Sequence, residues 1–168
     1  GGTPSILDPK QIYDLVKLFK ENYGLDYGAE ITMEVDPASF DRDKLYGFID
    51  AGINRFSLGA QSFNNQILQN AGRRHSKQDV EISCLWLKEA YDSGNIKSWS
   101  LDLIQNLPFS GLEVWQKDLR KTINYSPPHI SVYDLNLENG TVFKKLFDLG
   151  KLQLPSDDTA FGNSESTN

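Results

Sequence analysis

Through most of the chain, apolar residues recur in two alternating rhythms, one near period 3.6 and one of period 2. Ile12, Leu15, Val16 and Phe19 fall at i, i+3, i+4 and i+7, the stripe of an amphipathic helix. Asp8-Pro9-Lys10-Gln11 supplies its start, with an acid to cap, a proline for the first helical position and a glutamine at the third. Tyr23-Gly24 ends it. Over 30–36, Ile31, Met33 and Val35 alternate with Thr32, Glu34 and Asp36, which predicts a strand stopped by Pro37. A helix over 41–51 carries Leu45, Phe48 and Ile49 on one face, and Gly52 stops it. A strand at 54–61 and a short helix at 64–71 follow. Ser76 with Asp79 is a capping box before a longer helix whose stripe is Val80, Cys84, Leu87 and Tyr91. A third strand is predicted at 97–104. Ser110 with Glu113 predicts a second capping box, before a helix striped by Leu112, Trp115, Leu119 and Ile123. Pro127-Pro128 leads into a fourth strand at 129–137. After Gly140 the pattern weakens, and residues 156–168 are polar and small, the composition of a frayed, disordered tail.

Strands that alternate with helices predict parallel βα units, with right-handed crossovers placing the helices outside. The strands themselves are two-faced. Thr32, Glu34 and Asp36 share one side of the first; Ser57, Gly59 and Gln61 share one side of the second; Ser100 and Asp102 share one side of the third. A parallel sheet covered on both faces has near-continuous apolar strands. Here the polar faces must line something wet or liganded, as the lumen of a barrel does. The expected fold is α/β, a partial (β/α) barrel with parallel strands and outer helices, over residues 1–155.

Composition narrows the function classes. The chain has 168 residues, 17 Lys+Arg against 23 Asp+Glu, and one cysteine. One cysteine excludes a disulfide framework and a zinc or iron–sulfur site built from several thiolates of this chain. The acidic balance argues against non-specific nucleic-acid binding. No apolar run reaches the ~18–20 residues of a membrane span, and no signal-peptide pattern opens the chain.

The candidate chemistry lies near the strand ends, where α/β folds bind ligands. Gly1-Gly2-Thr3-Pro4-Ser5 is either an ordinary loop or a backbone that approaches a ligand closely. Glu34 and Asp36 point the same way and fit solvated acids or receptors of an ammonium and hydroxyls. Gln61 offers a donor and an acceptor, and fits a loop-capping role equally well. Arg73, in Gly72-Arg73-Arg74-His75, is a surface cation or a carboxylate clamp. Asp102, inside the apolar run Leu101-Asp102-Leu103-Ile104, is costly to bury unless hydrogen-bonded, and points to function. Cys84 and His129 read as structural. No Ser-His-Asp constellation, zinc spacing or Walker motif is present.

Six segments in order resemble one family. They are Gly1-Gly2-Thr3-Pro4-Ser5; Glu30-Ile31-Thr32-Met33-Glu34-Val35-Asp36-Pro37; Ser57-Leu58-Gly59-Ala60-Gln61-Ser62-Phe63; Gly72-Arg73-Arg74-His75; Ser100-Leu101-Asp102-Leu103-Ile104 with Leu107-Pro108; and His129-Ile130-Ser131-Val132-Tyr133-Asp134-Leu135 with Gly140-Thr141. Together they are similar to the radical S-adenosylmethionine proteins related to oxygen-independent coproporphyrinogen III oxidase. Gln61-Ser62-Phe63 and Gly72-Arg73-Arg74-His75 resemble the haem-chaperone branch. Gln105-Asn106 replaces an aromatic-glycine pair usual before Leu-Pro, which leaves the shape of that loop open.

The resemblance implies that S-adenosylmethionine binds at the strand C-terminal ends. Gly1, Gly2, Thr3, Glu34, Gln61, Arg73 and Asp102 match the contacting positions. For a complete protein it implies a 4Fe-4S cluster whose electron cleaves the sulfonium, and haem bound for transfer to an acceptor protein, in the cytoplasm or an organelle. The family's three-cysteine motif lies upstream of the Gly-Gly-Thr-Pro segment, so this chain is expected to be the middle of a longer protein and inactive by itself. Two alternatives stand: a true coproporphyrinogen III oxidase acting on porphyrinogen propionates, and a non-catalytic α/β module for another small polar ligand.

Overall fold

The computed structural model describes residues 2–155. After a 3-10 turn at Pro4–Ile6 come α1 (Pro9–Tyr23), β1 (Thr32–Val35), α2 (Arg42–Asp50), β2 (Arg55–Gln61), α3 (Asn65–Asn70), α4 (Lys77–Asp92), β3 (Ser98–Gln105), α5 (Leu112–Tyr125), β4 (His129–Asp134) and α6 (Val142–Asp148). The four strands form one sheet in the order β1-β2-β3-β4, every pair parallel. The sheet is open, so the expected α/β partial barrel is what the chain forms.

Alternation along the strands divides the molecule. Met33, Val35, Phe56, Leu58, Ala60, Trp99, Leu101 and Leu103 pack with Leu45, Phe48, Val80, Cys84, Leu87 and Trp115 of the helices into one core. Burying aromatic and aliphatic side chains of this size contributes about 1.5–3 kcal/mol each before the entropy cost of ordering them. The in-between residues face the other way, and their register makes polar rows across the sheet. Glu34 pairs with Ser57, Ser57 with Ser100, and Asp102 with Ser131.

Helix starts largely follow the sequence signals. Asp8 caps α1, accepting from the Lys10 amide at 2.8 Å while Gln11 reaches back to the Asp8 amide at 2.9 Å. Ser76 and Asp79 form the expected capping box on α4. The start of α5 differs. Gly111, not Ser110, takes the cap position, and no side chain caps it. The preceding turn explains this: the Ser110 amide donates to the Leu107 carbonyl at 3.0 Å and Phe109 adopts φ 64°, which tucks Ser110 into the interior. Glu113 pairs instead with Lys117 one turn on, at 2.6 Å.

Two stripes are also rotated. In α5 the buried residues are Trp115, Asp118 and Thr122, while Leu112 and Ile123 are exposed. In α1, which packs against α2, Ile12 is buried and Val16 rests on the core, while Leu15 and Phe19 are half exposed. The weak pattern after Gly140 hides a helix, α6, which buries no residue. Local contacts mark it: Thr141 Oγ1 accepts from the Lys144 amide at 3.3 Å, and Lys144 pairs with Asp148 at 2.5 Å. The tail expected at 156–168 lies outside the described residues.

Cys84 sits in the core with no exposed surface, and burial, helped by Glu81, pushes its thiol well above the ordinary range. A buried neutral thiol is a poor nucleophile. Ellman's reagent is therefore expected to leave the native chain unlabelled and to titrate one thiol per chain after guanidinium unfolding. Rapid labelling without denaturant would contradict this packing.

Candidate ligand site at the strand C-terminal edge

The polar face gathers its groups at one end of the sheet. Gly2, Thr3, Glu34, Asp36, Ser57, Gly59, Gln61, Arg73, Asp102 and Tyr133 line a cavity of about 280 Å³, close to the lower end of small-molecule sites. Six of the seven residues expected from sequence to contact a cofactor meet here: Gly2, Thr3, Glu34, Gln61, Arg73 and Asp102. The seventh, Gly1, lies outside the described residues.

Each side chain has a local reason for its position. Asp102 is nine-tenths buried on β3 and is satisfied across the sheet: Ser57 Oγ donates to its Oδ2 at 2.5 Å, and Ser100 Oγ lies 3.2 Å from Oδ1 and 2.9 Å from Ser57 Oγ. The two serines hold the carboxylate without neutralising it and leave oxygen lone pairs open to the cavity. Arg73 follows α3 through a Schellman turn. Gly72, at φ 68°, donates to the Gln69 carbonyl, and the Arg73 amide donates to the Leu68 carbonyl. Among the described residues neither the Arg73 guanidinium nor the Glu34 carboxylate has a charged or hydrogen-bonding partner.

Gln61 is the unusual member. A register shift between Leu58 and Gln61 ends the regular pairing of β2 with β3, and Gln61 takes φ 67°, a left-handed backbone rare for a residue with a side chain. Its amide folds back over Gly59. A Cβ at Gly59 would come within 3.0 Å of Gln61 Nε2, so this glycine is the bed on which the amide lies. The residue is only 8% exposed, and its side-chain amide, open to the cavity, has no hydrogen-bond partner among the described residues. Its donor and acceptor are available to a ligand or to water.

Sequence reasoning missed the supports of this site. Ser5 is fully buried; its Oγ accepts from the Asp36 amide at 3.0 Å and donates to Ser39 Oγ, which in turn donates to the Asp36 carbonyl at 2.7 Å. Lys44 of α2 donates to the Ser5 and Ser39 carbonyls at 2.7 and 3.0 Å. Together they fasten the Gly2-Thr3 loop to the end of β1. His75 Nε2 donates to the Ala60 carbonyl at 3.1 Å, and its Nδ1 lies 3.4 Å from Asp36 Oδ2. On the far side, Asp118 accepts from Ser62 Oγ at 2.5 Å and from the Phe63 amide at 3.0 Å. The loop at Gln105-Asn106 keeps a tight turn without glycine: Asn106 sits at φ 60°, and its amide donates to Asp134 at 2.7 Å, joining β3 to β4.

The comparisons with known proteins agree with the fold. Residues 1–99 match the model of the Radical SAM superfamily. The chain belongs to that superfamily. It is 40% identical over 155 residues to the heme chaperone HemW of Synechocystis sp., covering 92% of this chain and 37% of that protein. It is 36% identical over 158 residues to the mitochondrial radical S-adenosyl methionine domain-containing protein 1 of Danio rerio, covering 94% of this chain and 35% of that one. Among solved structures, the coproporphyrinogen III oxidase HemN of Escherichia coli superposes with a TM-score of 0.83 at 29% identity, over 99% of this chain and 37% of that one. The chain thus spans little more than a third of the length of these proteins. Membership sets aside the unrelated α/β module and bears out the resemblance read from the six segments.

The cluster of this superfamily does not fit the residues present. Three thiolates on one loop are required. The chain has only Cys84, sealed in the core, and no group of His, Cys, Asp and Glu among the described residues is arranged to hold a metal. Nor is any described helix long and apolar enough to cross a membrane.

Burial raises the carboxyl of Asp118, although the bonds from Ser62 and Phe63 and the charge of Lys121 oppose the rise. A folded value above the unfolded one means the folded state holds its proton more tightly, so that contribution is present at low pH and lost as pH rises from about 4 through the folded value. Urea midpoints are expected to fall more steeply over that interval for the wild type than for Asp118→Asn. Parallel profiles would contradict the shift.

Proposed function

We infer that this chain is the S-adenosylmethionine-binding segment of a haem-chaperone-type radical S-adenosylmethionine protein. The observation that carries the reading is the convergence on one cavity of the Gln61 side-chain amide, the Arg73 guanidinium and the Glu34 carboxylate, none of which has a partner among the described residues. Such a donor set suits a ligand with a carboxylate, an ammonium or sulfonium charge, and hydroxyls. Arg73 would take the carboxylate, since a guanidinium binds it through two parallel bonds. Gly2 and Thr3 would offer backbone groups to the amino group. Glu34 and Asp102 would accept from ribose hydroxyls or face the positive centre. S-adenosylmethionine brings a carbon–sulfur bond weakened by the sulfonium charge; the residues here bind and orient it.

The haem-chaperone assignment is supported by identities of 35–40% to several proteins of that name, against 29% to the oxidase structure. Haem or a porphyrinogen as second ligand, an acceptor protein, and a cytosolic or mitochondrial setting belong to the same proposal. The oxidase is the second reading, supported by the TM-score of 0.83. Transfer of bound haem by the full-length protein, without oxidation of coproporphyrinogen, is expected; the opposite result would favour the oxidase.

Calorimetric titration of S-adenosylmethionine into this chain tests the site. Charge-assisted bonds contribute about 1.5–3 kcal/mol each. Arg73→Ala and Asp102→Asn are therefore each expected to weaken binding at least about tenfold. Gly59→Ala, which crowds the Gln61 amide, is expected to weaken binding while leaving the urea midpoint nearly unchanged. Binding that ignores all three substitutions would overturn the assignment.

Iron–sulfur reconstitution of this chain alone is expected to leave no stoichiometric four-iron absorbance. A full cluster would show that thiolates other than a three-cysteine loop can hold it.

A further inference from the structure

Gln61 holds a left-handed backbone conformation that persists only where its surroundings over-determine it. Something must therefore fasten the residues on either side. Before it, the Ala60 carbonyl accepts from both the Ser62 amide at 2.8 Å and His75 Nε2. After it, both oxygens of one acid are committed. Asp118 Oδ2 accepts from Ser62 Oγ, and Oδ1 accepts from the Phe63 amide.

Asp118 reaches this loop from α5, more than fifty residues along the chain, and is itself only 4% exposed. Its helix adds two contacts to the same loop. The Tyr125 ring stacks on Phe63 at 5.9 Å and 9°, and Lys121 Nζ lies 5.5 Å from the Phe63 centroid. A buried acid is a costly choice for an outer helix, because burial works against its charged form. Apolar packing would have served a purely structural contact. What only a carboxylate supplies here is two acceptors in fixed geometry, one for a hydroxyl and one for a backbone amide in consecutive residues.

We propose that Asp118 is a positioning residue for ligand binding: it locks Ser62 and Phe63 so that the amide of Gln61 is held over Gly59, facing the cavity. The hydrogen-bond partners of Asp118, Ser62 and Phe63, do not line the cavity, so it acts through Gln61. The proposal rests on the reading of the cavity as an S-adenosylmethionine site.

The test is a double-substitution cycle on the whole chain, read by calorimetric titration of S-adenosylmethionine. Asp118→Ala is expected to weaken binding about tenfold. Asp118→Asn, which keeps an oxygen for the Phe63 amide, is expected to stay within about threefold of wild type. In a Gln61→Ala background, Asp118→Ala is expected to change affinity less than twofold, because its route is already gone. Penalties that multiply in the double variant, or a folded Asp118→Ala with wild-type affinity, would overturn the proposal. If circular dichroism shows Asp118→Ala unfolded, Ser62→Ala removes one of the two bonds and enters the same cycle under the same criteria.

A failure of the underlying reading looks different. The wild type would then not bind S-adenosylmethionine, or Gln61→Ala would bind as well as wild type. The positioning claim is then judged without ligand, from the side-chain amide resonances of Gln61, identified by their loss in Gln61→Ala. Shifted or broadened resonances in the Asp118 or Ser62 variant support it, and unmoved resonances overturn it.

Discussion

A carboxylate in the middle of a parallel sheet is the constraint on which the rest of this structure turns. Asp102 stands between apolar neighbours on β3, and a charge there survives only if its oxygens are bound. Ser57 and Ser100 do this from the same face, so the hydrogen bond from Ser57 also ties β2 to β3 through side chains. Satisfying Asp102 commits that whole face to polar residues, and the apolar residues between them are then committed to the helix side. The two-faced sheet, the single core and the polar cavity are three consequences of one placement.

The cavity is built from strain on one side and freedom on the other. Its supports are committed to the fold: Ser5, Ser39 and Lys44 bind the first loop, and Asp118 and the Nε2 of His75 bind the turn around Gln61. Its ligand-facing groups are not, since Glu34, Gln61 and Arg73 keep their hydrogen-bonding capacity unspent among the described residues. That division is what preorganisation requires: the ordering entropy is met during folding, and the binding groups remain open.

The parts legible in the sequence were those with a local signature. Alternation placed Glu34 and Asp102 on the polar faces of single strands, the resemblance of six ordered segments singled out Arg73, and three-residue spacing marked the capping boxes of α1 and α4. The supports had no such signature. Ser5 meets Asp36 across 31 positions and Asp118 meets Ser62 across 56, and no window of periodicity spans such distances. Asp118 did leave a trace, as an acid three residues after Trp115 on the face that proved to be buried. The stripe read through Leu119 and Ile123 passed it over. The helix α6 was invisible for the opposite reason: it has no fully buried residue and so only a weak hydrophobic period, and its cap and ion pair are single local contacts.

The charge balance of the cavity bears on which ligand it can select. Glu34, Asp36 and Asp102 face one guanidinium, Arg73, so the lining favours a ligand with excess positive charge. The amino-acid end of S-adenosylmethionine is neutral overall, with one ammonium and one carboxylate, and its sulfonium supplies the excess. The acids do not count equally. Two unit charges about 4 Å apart interact by about 1 kcal/mol in bulk water and about 4 kcal/mol at the effective dielectric near a protein surface. Glu34 is exposed and close to the first limit, whereas Asp102 is nine-tenths buried and closer to the second. Under the proposed reading, Asp102, the same residue that organises the sheet, contributes more than Glu34 to any preference for a positively charged ligand over a neutral one.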